Sequence, residues 1–235
     1  GLLTARSYFD ASTPEEQDLR HRITALWHRA DWTRHIDNTV PQDPALLWHR
    51  AADDSFQIKL PIRGWNESLV TYVIAAASPT HPISPHSYHE GWAKHFDHAH
   101  NSGKNADHDG PLFFTHYSFM GLDPNRISDT YADYFSLNKA HVLKNMEHCL
   151  RNPHGYKGYS AQSWGLTSGD SVQGYVAHSP QHDTGVISPT AALSSIVYTP
   201  QESLMAMRHF YEDKKADLWG PFGFKDGFSE HHNWT

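Results

Sequence analysis

Apolar positions recur along the chain in short helical rhythms separated by long polar or aromatic loops. In residues 12–29, STPEEQDLRHRITALWHR, Leu19, Ile23, Leu26 and Trp27 return at helical spacing. Thr13 offers a cap, Pro14 suits the first turn and Glu16 follows three residues after the cap, so a helix is predicted. Residues 33–60 read as a loop with a short strand over 56–60. Residues 65–77 read as a helix that is apolar on nearly all faces, hence buried on nearly all faces. The three prolines of SPTHPISP stop it, and Ser84-Pro85 opens another helix through about Phe96. A polar loop fills 97–112. Ser128 is read as the cap of a segment to Phe135, and a longer helix over 136–151 carries Val142, Met146 and Leu150 on one stripe. Residues 152–187 form a long loop, of a length that in compact domains usually serves function. Ser188-Pro189 opens a helix to about Tyr198, and Thr199-Pro200-Gln201-Glu202 opens the next, to about Lys215. The tail DLWGPFGFKDGFSEHHNWT is aromatic and glycine-rich without a helical period.

No βαβ alternation and no internal repeat is visible. The alternation of very apolar with amphipathic helices predicts an all-α chain, by analogy the inner and outer layers of a helical toroid whose long loops gather to build a site. The opening GLLTARSYFD reads like the end of a helix already under way, as expected of a fragment or processed product, and it lacks the basic start and cleavage site of a signal peptide.

Composition narrows the function. Hydrophobic residues at 38% allow a packed core, while aromatics at 13% beside only 19% charged residues suit flat, weakly charged ligands such as sugars. The net charge of −7 and the absence of a basic patch argue against nucleic acid. The longest nearly apolar run, Leu69 to Ala77, is too short to span a bilayer. The single cysteine, Cys149, excludes an internal disulfide and is expected to pack within its helix.

The candidate chemistry starts at Arg63-Gly64-Trp65-Asn66-Glu67. Glu67 stands at the mouth of the most apolar helix, where apolar surroundings would raise its pKa as a general acid requires. The competing reading makes it a helix-start carboxylate favoured by the dipole. A glycosidase needs two carboxyl groups across the scissile bond, and Asp170, Asp183, Asp226 and Glu230 are loop candidates for the partner. Asp beside Gly is also ordinary turn chemistry. The segment HFDHAHNSGKNADHDG, residues 95–110, gathers His95, Asp97, His98, His100, Asp107, His108 and Asp109. It is a candidate for a divalent metal, but its spacings match no structural zinc pattern and no HExxH occurs.

Five ordered motifs then carry a resemblance: GWNESLVTYVIAAASPTHP, GPLFFTHYSFMGLDP, SWGLTSGDSVQGYVAHSP, DTGVISPTAALSSIVYTPQESL and LWGPFGFKDGFSEHHNW. The chain resembles the glucoamylase-like proteins, the group that includes the endo-β-1,2-glucanases of glycoside hydrolase family 144. The resemblance covers nearly all of residues 1–235, taken as a single partial domain. It implies an (α/α)6 toroid, incomplete in this chain, and an inverting glycosidase with no cofactor and no metal in the chemistry. Glu67 of GWNE matches the general acid. Relatives carry the carboxylate resembling the general base in a segment following SEHHNWT, which puts activity of this chain in question. On this reading Trp65, Trp164, Trp219 and Trp234 offer stacking faces to a glucan, most simply a β-1,2-glucan. Asn66, His116, Asp170, His182 and Asp183 bond its hydroxyls, with Arg63 and Glu230 as further charged contacts. The resemblance also implies a periplasmic or secreted location, and exposed inner helices would favour self-association. Two other readings stand beside it: an α-glucan hydrolase of glucoamylase type, and a non-catalytic glucan-binding or inactive fragment.

Overall fold

The computed structural model describes residues 1–51, 57–95 and 110–235. They gather into two compact units, one drawn from Gly1–His98 with Phe119–Leu122 and the other from Ala99–Ser118 with Asp123–Thr235. Both are mainly helical. The candidate metal loop falls almost wholly outside the described residues, as does Phe56.

In the first unit the chain opens with α1, Leu2–Tyr8, and α2, Pro14–Arg29. Thr13 Oγ1 accepts the Glu16 N–H at 3.2 Å, and the Glu16 carboxylate reaches back to the Ser12 N–H at 2.9 Å. The start signal of α2 therefore works as read. Of its apolar stripe only Ile23 is fully buried, while Leu26 stays exposed. Residues 57–60 form no strand. Isolated bridges instead join Ile36 to Leu46 and Leu47 to Pro61, and Pro61 has no N–H with which to extend the second into a ladder.

Helix α3 spans only Leu69–Ala76. The expectation of a helix from 65 fails because Gly64 takes a positive φ of 66° and Asn66 Oδ1 binds the Ser68 N–H at 2.8 Å. That side-chain turn competes with helix over 65–68. Burial is also narrower than expected. Leu69, Tyr72 and Ala75 form the enclosed stripe, whereas Val70, Val73 and Ile74 are half-buried. Tyr72 explains the stripe's anchorage: its hydroxyl donates to Ile62 O and accepts from Leu46 N, both at 2.9 Å. Burial pushes its pKa up to about 12. Ser84 caps α4, Pro85–His89, through the His86 N–H at 3.1 Å, but the helix breaks at Glu90 and resumes as a 3₁₀ turn over Ala93–His95.

In the second unit a short helix absent from the sequence expectations, α5, covers Phe113–Ser118. The longest helix, α6, covers Tyr134–Arg151 and is capped by Asp133, whose carboxylate accepts the Ser136 N–H at 2.8 Å. The segment expected after Ser128 is a turn, closed by a Ser128–Asp133 bridge and by Asp129 accepting the Tyr131 and Ala132 N–H groups. Val142 and Cys149 are buried as expected, but Leu150 is exposed. The buried face of α6 is partly polar instead, with Asn138, His141 and Asn145 enclosed.

Each of these polar groups binds a segment outside α6. Asn145 accepts the Leu166 N–H at 2.9 Å and donates to the Leu166 carbonyl at 3.1 Å. His141 Nδ1 meets Thr115 Oγ1 at 2.7 Å, and Asn138 Nδ2 donates to the Tyr198 hydroxyl at 2.9 Å. The long loop thus gains order from side chains rather than from sheet, apart from a two-residue hairpin of β1, Ser168–Gly169, and β2, Val176–Ala177.

Helix α7, Pro189–Ser194, continues as a 3₁₀ turn to Val197 and leads into α8, Pro200–Arg208. A π-helical turn over His209–Asp213 and α9, Lys215–Leu218, follow. The hairpin of β3, Trp219–Gly220, and β4, Gly223–Phe224, leads to the described end. The core of this unit packs Leu112, Val142, Cys149, Trp164, Leu166 and Ile187 against Ala206, Phe210, Leu218 and Phe228. Among the described residues no helix is long and apolar enough to cross a membrane.

Candidate active site

In the first unit, the RGWNE segment forms a tight elbow before α3. Gly64 donates its N–H to Trp92 O at 3.2 Å, and Asn66 Nδ2 donates to Arg63 O at 3.3 Å. Glu67 lies in the turn closed by Asn66 and Ser68, half-buried, with no hydrogen bond or ion pair among the described residues. It is not a cap: Ser68 precedes α3 and no side chain caps that helix. A carboxylate sheltered this far and without a partner among the described residues is available to a ligand. Arg63 is engaged instead by Asp43, with which it forms an ion pair. Trp65 is only 7% exposed and packs in the core of the unit.

The second unit holds a cleft of about 490 Å³ lined by Phe113, His116 and Tyr117 of α5, Thr167, Ser168 and Tyr175 of the long loop, Thr190, Ala191 and Ser194 of α7, and Asp226. That volume suits a small ligand. Its composition suits a sugar. Tyr117 and Tyr175 are exposed aromatic walls, and the hydroxyls of Thr167, Ser168, Thr190 and Ser194 with the Asp226 carboxylate offer bonds to ligand hydroxyls.

His116 lines this cleft as expected. Burial, helped by the neighbouring His141, lowers its pKa from 6.5 to about 4, so the ring is neutral near pH 7. Ser195 Oγ donates its one proton to Ala191 O at 2.9 Å, so in its 3.0 Å contact with Ser195 the His116 Nε2 is the donor. The depressed folded-state pKa means the unfolded chain binds the extra proton first. The contribution is fully present above pH 6.5 and fades as pH falls toward 4. Between pH 7.5 and 5 it amounts to about 2 kcal/mol. Thermal melts across that range are expected to fall more steeply for the wild type than for His116→Gln; parallel curves would show that His116 does not carry the effect.

Other expected site residues are placed differently. Asp170 contributes its backbone rather than its side chain: its N–H donates to Asp226 Oδ2 at 2.6 Å. Gly169 lets this carboxylate approach, since a Cβ there would lie 2.5 Å from Asp226 Oδ2. Asp226, a candidate partner carboxylate by sequence, is thus fixed at the cleft.

Asp183 is corrected from a sugar contact to a scaffold residue. Its side chain is 1% exposed, and it accepts the Tyr159 hydroxyl at 2.6 Å and the Gly185 N–H at 2.9 Å while His148 Nε2 lies 2.9 Å away. Burial, and after it the Asp183 charge and hydrogen bond, push the Tyr159 phenol far up. Trp164 is likewise corrected: it is fully buried in the core and presents no face to a ligand. The adjoining Leu166 backbone, held by Asn145, draws SWGL under α6.

Trp219 is exposed but lies on a different, apolar groove with Tyr211 and Phe222. Glu230 and Trp234 share a smaller pocket of about 210 Å³, where Glu230 is paired with Lys214. His182 is exposed on a turn closed by its backbone bonds to Ser179. The cleft residues Phe113, Tyr117, Thr167 and Thr190 escaped the sequence reading. Phe113, His116 and Tyr117 stand at helical spacing, a signal available had 113–118 been read as a helix. Among the described residues no His, Cys, Asp and Glu cluster could hold a metal.

Comparison with known proteins places these features. A family model described as "Glycoamylase: Putative glucoamylase" matches residues 59–235. The chain is 36% identical to an exo beta-1,2-glucooligosaccharide sophorohydrolase (non-reducing end) from Parabacteroides distasonis, over 100% of this chain and 36% of that protein. A solved "putative glucoamylase" from Bacteroides uniformis is 44% identical, with a TM-score of 0.89 over 99% of this chain and 58% of its own. An endo-beta-1,2-glucanase from Chitinophaga pinensis, in complex with sophorotriose and glucose, is 42% identical, with a TM-score of 0.87 over 99% of this chain and 58% of its own. The chain therefore spans 36% of that curated relative and 58% of each of these solved chains. Its mainly helical make-up agrees with the all-α class expected from the sequence, and its backbone follows those of the two solved relatives. With its motifs in order and three quarters of its length inside the family model, the chain belongs to the glucoamylase-like family.

Proposed function

We propose that the protein to which this chain belongs is a glycoside hydrolase acting on β-1,2-linked glucans, with Glu67 as the general acid of an inverting mechanism. The observation that carries this reading is Glu67 itself, a half-buried carboxylate without a protein partner among the described residues, in the GWNE motif. In the proposed step Glu67 protonates the glycosidic oxygen as the bond to the anomeric carbon breaks. A second carboxylate takes a proton from a water that attacks the opposite face, giving a product of inverted configuration. Taken by itself, the cleft of the second unit has a lining that suits a sugar, with Tyr117, Tyr175, His116 and the carboxylate of Asp226 on its walls.

The β-1,2 linkage is supported by the names of the Parabacteroides and Chitinophaga relatives. The word glucoamylase in the family description favours an α-glucan instead. A product assay on a panel of glucans, resolved by anomer, separates the two. Oligosaccharides of inverted configuration released from β-1,2-glucan and none from starch are expected. Release from starch alone would replace the linkage, and binding without turnover on any glucan would leave a sugar-binding protein.

A further inference from the structure

We propose that Asp43 is the positioning residue that sets the Glu67 carboxylate in place, acting through Arg63. This rests on the reading of Glu67 as general acid. Asp43 lies twenty-four residues before Glu67, outside every motif of the family resemblance. Its carboxylate is 20% exposed and is the meeting point of Arg63, Lys94 and the His95 ring. It forms an ion pair with Arg63, accepts from His95 Nε2 at 2.9 Å, and has Lys94 Nζ at 3.8 Å. The second Arg63 nitrogen donates to the Asp43 carbonyl at 3.4 Å, so Arg63 is gripped through both the side chain and the backbone of one residue. Burial pushes the Asp43 carboxyl up, but the hydrogen bonds from His95 and Arg63 and the guanidinium charge outweigh it and hold it below the usual carboxylate range.

Asp43 is itself on firm ground. Leu46 and Ile62 exchange a backbone bond at 2.8 Å, and the Tyr72 hydroxyl bridges the same two residues from α3. The Arg63 end of the elbow is therefore fixed, and the other end is fixed by the Asn66–Ser68 turn leading into α3. Between them the backbone has little freedom. Gly64 stands so close to the 3₁₀ turn that a Cβ would lie 2.9 Å from His95 O. Glu67 makes no bond of its own among the described residues, so its position is inherited from this clamp. Loosening the Arg63 end lets the elbow, and with it the carboxylate, drift; a displacement of about 1 Å costs on the order of 10²-fold in rate.

The test compares Asp43→Asn, Asp43→Glu and Glu67→Gln in the full protein, with two readouts. In kinetics on β-1,2-gluco-oligosaccharides, Asp43→Asn is expected to lower kcat by about 10- to 100-fold with KM within about twofold, and Asp43→Glu to recover part of the loss. In protein labelled with ¹³C at glutamate carboxyls, the signal lost in Glu67→Gln identifies Glu67. That signal is expected to move in Asp43→Asn at fixed pH. Wild-type kcat in Asp43→Asn, with Glu67→Gln inactive, overturns the positioning role and leaves the acid assignment standing. Full activity in Glu67→Gln overturns the acid assignment, while the carboxyl signal still decides whether Asp43 positions Glu67. Should Asp43→Asn lose its far-UV circular dichroism, Asp43→Glu carries both readouts: an unmoved Glu67 signal and unchanged kcat there overturn the proposal.

Discussion

Replacing Glu67 by glutamine is expected to lower kcat for glucan cleavage by about 10²- to 10⁴-fold, the range a positioned general acid contributes. Glutamine keeps the shape and one hydrogen-bonding oxygen, but its amide N–H is too weakly acidic to transfer a proton to a departing glycosidic oxygen. Glu67 makes no hydrogen bond or ion pair among the described residues, so its replacement should leave the elbow before α3 intact. The loss should therefore appear in kcat, with far-UV circular dichroism and melting temperature unchanged. Substrates with an acidic aryl leaving group need less proton donation, and on these the defect should shrink. A Glu67→Gln protein that cleaves glucan within about threefold of wild type would end the assignment. One equally impaired on aryl and natural substrates would move Glu67 from acid to another role.

The largest stability effect is expected at Asp183. Asp183→Ala removes the acceptor of the Tyr159 hydroxyl, the Gly185 N–H and His148 at once. With the Asp183 side chain 1% exposed, water does not freely replace it. Removing one partner of such a buried set costs about 3–5 kcal/mol, since the remaining polar groups are left buried and unpaired. For a chain of this size that lowers Tm by roughly 6–20 °C. The Asp183 network ties α6, through His148, to the loop on either side of SWGL, through Tyr159 and Gly185. The loss should therefore be global rather than confined to a frayed end. Ala at the neighbouring exposed His182 is the control and should move Tm by little. If His182→Ala cost stability and Asp183→Ala did not, the assignment of Asp183 to the scaffold would be wrong.

Much of the fold was legible because the relevant forces are local. The Thr13–Glu16 box and the Ser84 cap act within a few residues, so their side chains announce helix starts directly. Cys149 on a helix, in the absence of any nucleophile pattern, read correctly as packed; burial pushes its thiol up to about 12. What failed was judging faces. A run such as Leu69–Ala77 states that it is apolar but not which of its sides will be covered. The stripe of Leu69, Tyr72 and Ala75 is chosen by the Leu46 and Ile62 backbone groups that the Tyr72 hydroxyl satisfies. In α6, Asn138, His141 and Asn145 look like solvent positions, yet they are the buried face because the Tyr198 hydroxyl, Thr115 with the Gly110 carbonyl, and the Leu166 backbone meet them there.

The candidate site divides in the same way. The order of its motifs and the identity of Glu67 belong to the sequence, since a one-dimensional pattern suffices to state family membership and the residue that departs from an apolar run. Whether an aromatic or carboxylate faces a ligand does not. Trp164 and Trp219, Asp183 and Asp226, are equivalent letters in similar loops. Only the folded chain encloses the first of each pair and exposes the second, because burial depends on partners far away in sequence: Asn145 for the loop of Trp164, His148 for Asp183. The clamp of Asp43 on Arg63 was invisible for the same reason, being a long-range ion pair with no spacing to betray it. The sequence by itself determined the helical class, the family and the acid candidate. The tertiary structure decided which polar groups are spent holding loops and which remain open to a ligand, because a buried polar group is stabilised only by a partner that the fold brings to it.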